Sequence, residues 1–488
     1  MAVPRYAEKF ESYDGTISYT WPTRRYQLEI RRPLRSAYSE IIGAHGVYDH
    51  LGLSPRVAGK GSAIVRCIVL KDTAAEVDTE MDALLSNIWR GGNGWLYALG
   101  ADGSRRRIRA AAMEMPPLTV ETGMRRHQPV VAAFDIFWPW QGTSLLPASA
   151  QQVTNNGQTW VVNNPGNIPA QLLRLRFRSN LPAISVTSLT ETEFGTAATA
   201  HVVAKPTVAT NDCLVFVFAN DASATVTLPS GLTQKVTTSQ GTFRQGVYVR
   251  KIDGTEPASW DFVTSVAAEA ACQVYRIPAG SWNQNVNDID VTQIGATSNS
   301  PNPPNGSISW NGDTLAIAAC SFDSAAAFTS DPANYTNGEL TGGSGSGVTV
   351  GLRTARRGPF NATAENPAAF ALGSSVDNIA ATIVVRAAYQ TVKVTNTTNG
   401  YVFETSRQLS SPDTEVRLRT DTQSPAVQYS SDDGVSYADD SAKYVAPAAT
   451  QLPFTFELAS GNNTLRWDGS GGPNIDLDVL PEFYASYA

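Results

Sequence analysis

The residues able to do chemistry are few and scattered. His45, His50, His127 and His201 are scattered, with none at i, i+4 on a helix. That spacing fits neither a zinc site nor a catalytic triad. Cys67, Cys213, Cys272 and Cys320 form no CxxC pair, which argues against metal clusters and redox motifs. Three of them, Cys213, Cys272 and Cys320, sit beside or within apolar runs and read as small buried side chains; one disulfide among them stays open. Asp432-Asp433-Gly434 and Asp439-Asp440 read either as calcium-attracting carboxylates or as solvated turns. The run from Thr341 to Gly347 and the Ser460-Gly461 pair lack the strand and helix context of a phosphate loop and read as flexible loops. No carboxylate pair has a placement suited to glycoside hydrolysis. The expectation is a chain that is not an enzyme, with no cofactor and no metal.

Two groups could recognise a partner. Arg105, Arg106, Arg107 and Arg109 cluster after a hairpin signal, and Arg125-Arg126-His127 follow. They read as a solvated face, or as a positive lining turned to DNA or an acidic neighbour. Trp260, Trp282, Trp310 and Tyr335 lie near turns, beside Asn283, Asn285, Asn287 and Asp288. Sugar binders place an aromatic face under the ring and amide or carboxylate groups on the hydroxyls. The alternative is that each aromatic plugs a core. Trp282 ranks first for exposure, because its SWNQNVND context is polar.

The elements that position these groups are mostly strands. Charged residues are 17% and hydrophobic residues 42%, and the net charge is −7. Such a chain folds and does not bind free nucleic acid through bulk charge. Its 488 residues exceed one core and imply about three domains. No apolar run reaches membrane-span length, and the opening residues carry no signal-peptide core; the expectation is a soluble protein made in a cytoplasm.

Residues 1–145 read as a β unit with one helix. Tyr19–Arg31 is strand material with Tyr26, Leu28 and Ile30 alternating, Gly43–Lys60 a loop or hairpin, and Ala63–Leu70 a strand. Thr73 and Glu76 fit a capping box. Val77, Met81, Leu84, Leu85, Ile88 and Trp89 fall on one helix face, closed by Gly91-Gly92. Trp95–Leu99, a turn at Ala101-Asp102-Gly103 and Arg105–Ala112 form a hairpin. Val130–Trp140 closes the unit.

The stretch from Val161 to Asn180 organises the rest. Asn163-Asn164-Pro165-Gly166-Asn167 is turn chemistry, and Leu173, Leu175 and Phe177 then alternate with Arg174, Arg176 and Arg178. That strand needs partners for its backbone groups, and a similar strand-rich pattern returns only at Tyr389. Residues 146–182 plus 389–488 therefore read as one discontinuous β-sandwich, interrupted by 183–388.

The interruption repeats itself. Asn211–Ala219 parallels Gly312–Cys320, Gly246–Val249 parallels Gly347–Val350, and Cys272–Arg276 parallels Thr382–Arg386. Two similar β halves follow one another, as one two-sheet module or two small ones.

Several of these residues carry a resemblance. The strand–helix–hairpin order with the Phe134–Trp140 close resembles the ring domain of siphophage distal tail proteins. Asn164-Pro165-Gly166-Asn167 with Pro169, and Phe456–Leu465, are similar to parts of that family's galectin-like domain. The resemblance covers about 1–182 and 389–488. It implies a virion protein at the distal end of the tail, assembled in the host cytoplasm as a homo-hexameric ring. The ring would join the tail tube protein to the tail tip or hub protein, with DNA only passing through, and the basic hairpins become candidates for a lumen or tube contact. Inserts in larger family members resemble carbohydrate-binding modules, so host-surface polysaccharide is an expected partner of residues 183–388. The alternatives are a stand-alone carbohydrate-binding adhesion protein and a polysaccharide hydrolase.

Overall fold

A computed structural model describes residues 6–12, 15–21, 27–31, 60–91, 93–99, 105–114, 127–147, 149–310, 312–323, 326–343, 346–412, 414–420, 425–447, 451, 453–471, 475–484 and 486–487. It is mainly β, with several antiparallel sheets and, among these residues, one α-helix. Tyr26, the Gly43–Lys60 loop up to residue 59, the 101–103 turn, and Arg125 and Arg126 lie outside the described residues.

The first sheet is eight-stranded. Its path runs Ser18–Thr20, Tyr6–Ser12, Asn93–Leu99, Arg105–Glu114, His127–Gly142, Lys60–Leu70 and Gln27–Arg31. The Tyr19–Arg31 stretch is thus split between two distant places in the path, and Tyr6–Ser12 also lies against Gln27–Arg31, so the sheet curls on itself. The helix Ala74–Gly91 packs against this sheet. Its start is the expected capping box: the Thr73 amide donates to Glu76 Oε2 (3.0 Å) and the Glu76 amide to Thr73 Oγ1 (3.3 Å). Val77, Met81, Leu84 and Ile88 enter a core with Phe10, Trp21, Phe134 and Trp140.

A second body is built from chain segments far apart in sequence. Ala170–Ser179 pairs with Glu415–Arg419 on one side and Leu477–Phe483 on the other, inside a seven-stranded sheet. A four-stranded sheet, ordered Val402–Leu409, Gln390–Asn396, Gly461–Trp467 and Thr159–Asn164, packs over it. Leu175 and Phe177 fill the interface, where the Phe177 and Phe403 rings stack at 5.4 Å. The sequence places Leu173 in this core, and the structure does not. A register shift between Leu172 and Arg174 turns Leu172 inward and leaves Leu173 half-exposed, as an extra residue in one strand must do.

The intervening chain forms two sheets with the same strand order. In the first, Ser188–Ala204, Ser259–Ile277, Cys213–Asn220, Phe243–Lys251 and Thr233–Gln240 are neighbours. In the second, the same positions are held by Ile289–Ser298, Val376–Arg386, Thr314–Asp323, Val350–Phe360 and Thr336–Gly342. The sheets face each other across one shared core containing Val215, Val217, Tyr275, Ile317, Ile383 and Val385. Each outer face is also covered, by Phe216, Phe218 and Trp260 in one half and by Phe322, Tyr335 and Phe370 in the other. Strands buried on both sides lose the period-2 pattern, so residues 213–219 of the Cys213–Asn220 strand read as an unbroken apolar run. Two repeat matches are displaced: Leu214 stands opposite Arg276 and Thr314 opposite Arg386, so the Asn211–Ala219 match is out by one residue. Gly246 stands opposite Phe218 and Gly351 opposite Phe322, whereas Gly347 precedes its strand. Cys213, Cys272 and Cys320 are buried and free.

Candidate functional site

Three of the expected glycan residues, Trp260, Trp282 and Tyr335, are buried, whereas Trp310 and Asn283 are partly exposed and Asn285 is exposed. Trp282, ranked first for exposure, is 1% exposed, and its Nε1 donates to the Asn211 carbonyl at 2.9 Å. Its polar neighbours satisfy one another: Asn283 donates to Asp288, and Asn285 accepts from the Asn287 amide. A polar sequence context signalled local capping here, not an open face. Trp260 packs edge-on against Phe216 in a core. Tyr335 is buried with its hydroxyl on Glu365 Oε1 (2.9 Å). Trp310 alone of the four is partly exposed, and its Nε1 donates to Thr314 Oγ1 at 3.0 Å. These aromatics do not form one surface.

The hairpin arginines also separate. Strand alternation sends Arg106 inward, where it is buried, and Arg105, Arg107 and Arg109 outward. Arg105 pairs with Glu8. The Arg107 guanidinium lies between two rings, 4.2 Å from the Trp95 centroid and 4.1 Å from the Tyr484 centroid. Tyr484 leads into Ser486–Tyr487, which pairs with Tyr487 opposite Trp140 and Ser486 opposite Gln141. The last residues therefore leave the sandwich and return to the first sheet, a departure from the expected unit of 389–488.

The acidic turns are occupied by the chain itself. Asp432 accepts from Ser430 Oγ and the Ser436 amide, and these hydrogen bonds hold its carboxyl down at about 2. Asp433 pairs with Arg178 at 2.7 Å, and Asp440 with Arg407 at 2.5 Å. Among the described residues no cluster of His, Cys, Asp and Glu suited to a metal ion occurs.

Charged residues gather on the outer face of the seven-stranded sheet. Cross-strand register places Arg174 opposite Arg419, Arg176 opposite Arg417, and Arg178 opposite Glu415. On the other flank Arg174 stands opposite Glu482 and Arg178 opposite Asp478. Leu175, Phe177, Val416 and Leu418 face the core, so alternation sends the arginines outward together. Four guanidinium groups thus form a block two strands wide. Like charges directly opposite each other oppose folding. Burial first, and then the charges of Arg419 and Arg174, push Arg417 below its ordinary value, against the opposite pull of Tyr437. Arg417 lies over the Tyr437 ring at 3.3 Å and donates through Nε to Gln428 Oε1 at 2.8 Å. Tyr437 donates to Glu415; burial and that carboxylate raise its hydroxyl to about 12. A cleft of about 260 Å³ opens at the edge of the block, lined by Arg176, Arg178, Glu415, Asp433, Tyr437 and Asp478 among others.

Sequence reasoning singled out Arg174, Arg176 and Arg178 as a stripe but not Arg417 and Arg419. The signal was present, since Glu415-Val416-Arg417-Leu418-Arg419 has the same alternation. No protein-family model matches this chain, and no curated protein matches it in sequence.

Proposed function

We propose that this chain is a structural protein of a viral tail, similar to the siphophage distal tail proteins. In this reading the curled first sheet with its helix builds a homo-hexameric ring between the tail tube and the tail tip. The discontinuous sandwich and its twinned insert stand outside the ring, and DNA only passes through. The insert is the part turned toward the host surface.

One observation carries the reading: Ala170–Ser179 is hydrogen-bonded between strands that lie some 240 and 300 residues later, with the insert looped out between them. A module that can be placed inside another without breaking its sheet suits a tail adaptor that varies its outer surface. The C-terminal return to the first sheet supports it further, because it ties sandwich to ring unit at both chain crossings. The buried insert tryptophans weigh against the stand-alone glycan binder, whose aromatic platform would have to come from other residues.

Light scattering of the purified protein and electron microscopy of virus particles test the proposal. A six-subunit mass, a ring in projection and labelling at the tail end are expected. A strict monomer absent from particles overturns it.

A further inference from the structure

We propose that His201 is an acid-sensitive catch in the insert: a proton placed on its buried ring frees the outer-strand segment 194–204 and uncovers the aromatic core beneath it. The proposal goes beyond the tail reading and does not depend on it.

The catch sits at a weak place in the fold. Ser188–Ala204 is the outermost strand of its sheet, so one of its edges has no neighbour there. Its pairing with Ser259–Ile277 slips twice, between Phe194 and Ala198 and again between Ala198 and Ala200. Only then do Ala200 to Ala204 pair regularly with Ser259 to Val263. An edge segment held by a short ladder beyond two irregularities opens at lower cost than a central strand. Its inward side chains, His201 and Val203, are fully buried and close the core of this half. The His201 ring lies 5.0 Å from Phe194 and 5.6 Å from Phe218, between centroids. Phe218 in turn stacks on Phe262 at 4.7 Å.

The imidazole is held in its neutral form. Thr264 Oγ1 donates to the Val266 carbonyl at 2.8 Å, so towards the ring it accepts, and Nε2 at 3.3 Å carries the proton. Nδ1 is then the basic nitrogen, and it is buried without a hydrogen bond. The charged groups that face the ring are Asp261, on the neighbouring strand, and Asp221, just after Cys213–Asn220. Asp261 is exposed, and Asp221 is already bonded to the Glu269 amide and Thr349 Oγ1. Burial outweighs both carboxylates and the Ala198 carbonyl, and pulls the ring below its ordinary value of 6.5.

Opening returns the ring to water, so the opened segment takes up the proton first. The closed form is favoured above pH 6.5 and loses ground as pH falls, by up to about tenfold per pH unit, until the lowered value is reached. His201 is the only histidine after His127, so no second imidazole titrates in the insert or the sandwich.

The test is hydrogen exchange read by mass spectrometry on the full-length parent and His201→Gln, at about pH 7.5 and about pH 5.5, with each rate divided by its intrinsic value. In the parent, exchange of residues 194–204 should speed up severalfold in acid, up to about tenfold, while Thr314–Asp323 in the other half holds steady. The variant should exchange at one corrected rate at both pH values. A parent segment indifferent to acid overturns the proposal. A variant that keeps the acid response also overturns it and passes the response to Asp221 or Asp261. Should the variant not fold, NMR of isotope-labelled histidine in the parent reads the ring directly. A His201 midpoint below 6.5 supports the catch, and one at or above 6.5 overturns it. None of these readouts depends on six-subunit assembly, so failure of the tail reading stays distinguishable.

Discussion

Arg107 and Tyr484 are 377 positions apart, yet the guanidinium of one lies 4.1 Å from the ring centroid of the other. With Trp95 on the opposite side at 4.2 Å, the cation is held between two aromatic faces. The contact fixes the last residues to the outer side of the first sheet, next to the pairing of Tyr487 with Trp140.

Tyr484→Ala should therefore loosen the C-terminus without disturbing either core. A half-exposed cation–π contact is worth about 0.5–1 kcal/mol. Thermal melting should fall slightly, while limited proteolysis near the C-terminus should speed up clearly. Equal proteolysis of variant and parent would show that the strand pairing alone holds the end.

Asn463 is the junction of two turns. It accepts from the Ala459 amide at 2.7 Å and from Asn396 Nδ2 at 3.1 Å, and it donates to the Ala459 carbonyl at 2.8 Å. Ser460 donates to the Gly166 carbonyl at 2.7 Å, which locks this turn to the Asn164–Asn167 turn. Asn463→Ala leaves several buried groups unpaired, each at about 1–3 kcal/mol. A loss of roughly 3 kcal/mol in urea unfolding is expected, and a loss under 1 kcal/mol would mean that water replaces the side chain.

Trp282→Ala tests burial against exposure. A fully buried indole removed from a core costs about 3–5 kcal/mol. Trp310→Ala, at a partly exposed site, should cost distinctly less. Similar small losses at both positions would return Trp282 to the surface.

Asp313 gives a pH signature. Burial raises its pKa above 3.8, although hydroxyls of Ser410 and Ser411 pull it partly back. A carboxyl with a raised folded pKa binds its proton more tightly when folded. Its contribution is then most favourable below the unfolded value and is lost as pH rises through the folded value. Asp313→Asn should be more stable than the parent near pH 7, with the gap closing as pH falls through the raised folded value towards 3.8. Melting curves across that range check the sign; a gap that widens in acid would contradict it.

What the sequence determined by itself was local. The capping box at Thr73 and Glu76, the apolar helix face and the Arg–apolar alternation at 174–178 are written in neighbouring residues, and those elements formed. The twinned insert was legible because its halves repeat an order of apolar runs. Leu173 was misplaced because a bulge depends on the partner strand. Trp282 was misplaced because its burial depends on residues such as Asn211, brought to it by the fold. The 2×2 arginine block arises only when Arg417 and Arg419 pair in register with Arg174 and Arg176, and the Arg107–Tyr484 clamp only when the chain end returns. Alternation fixes which side chains share a face of one strand; only the tertiary structure decides which strand, and so which charge or ring, lies next to it.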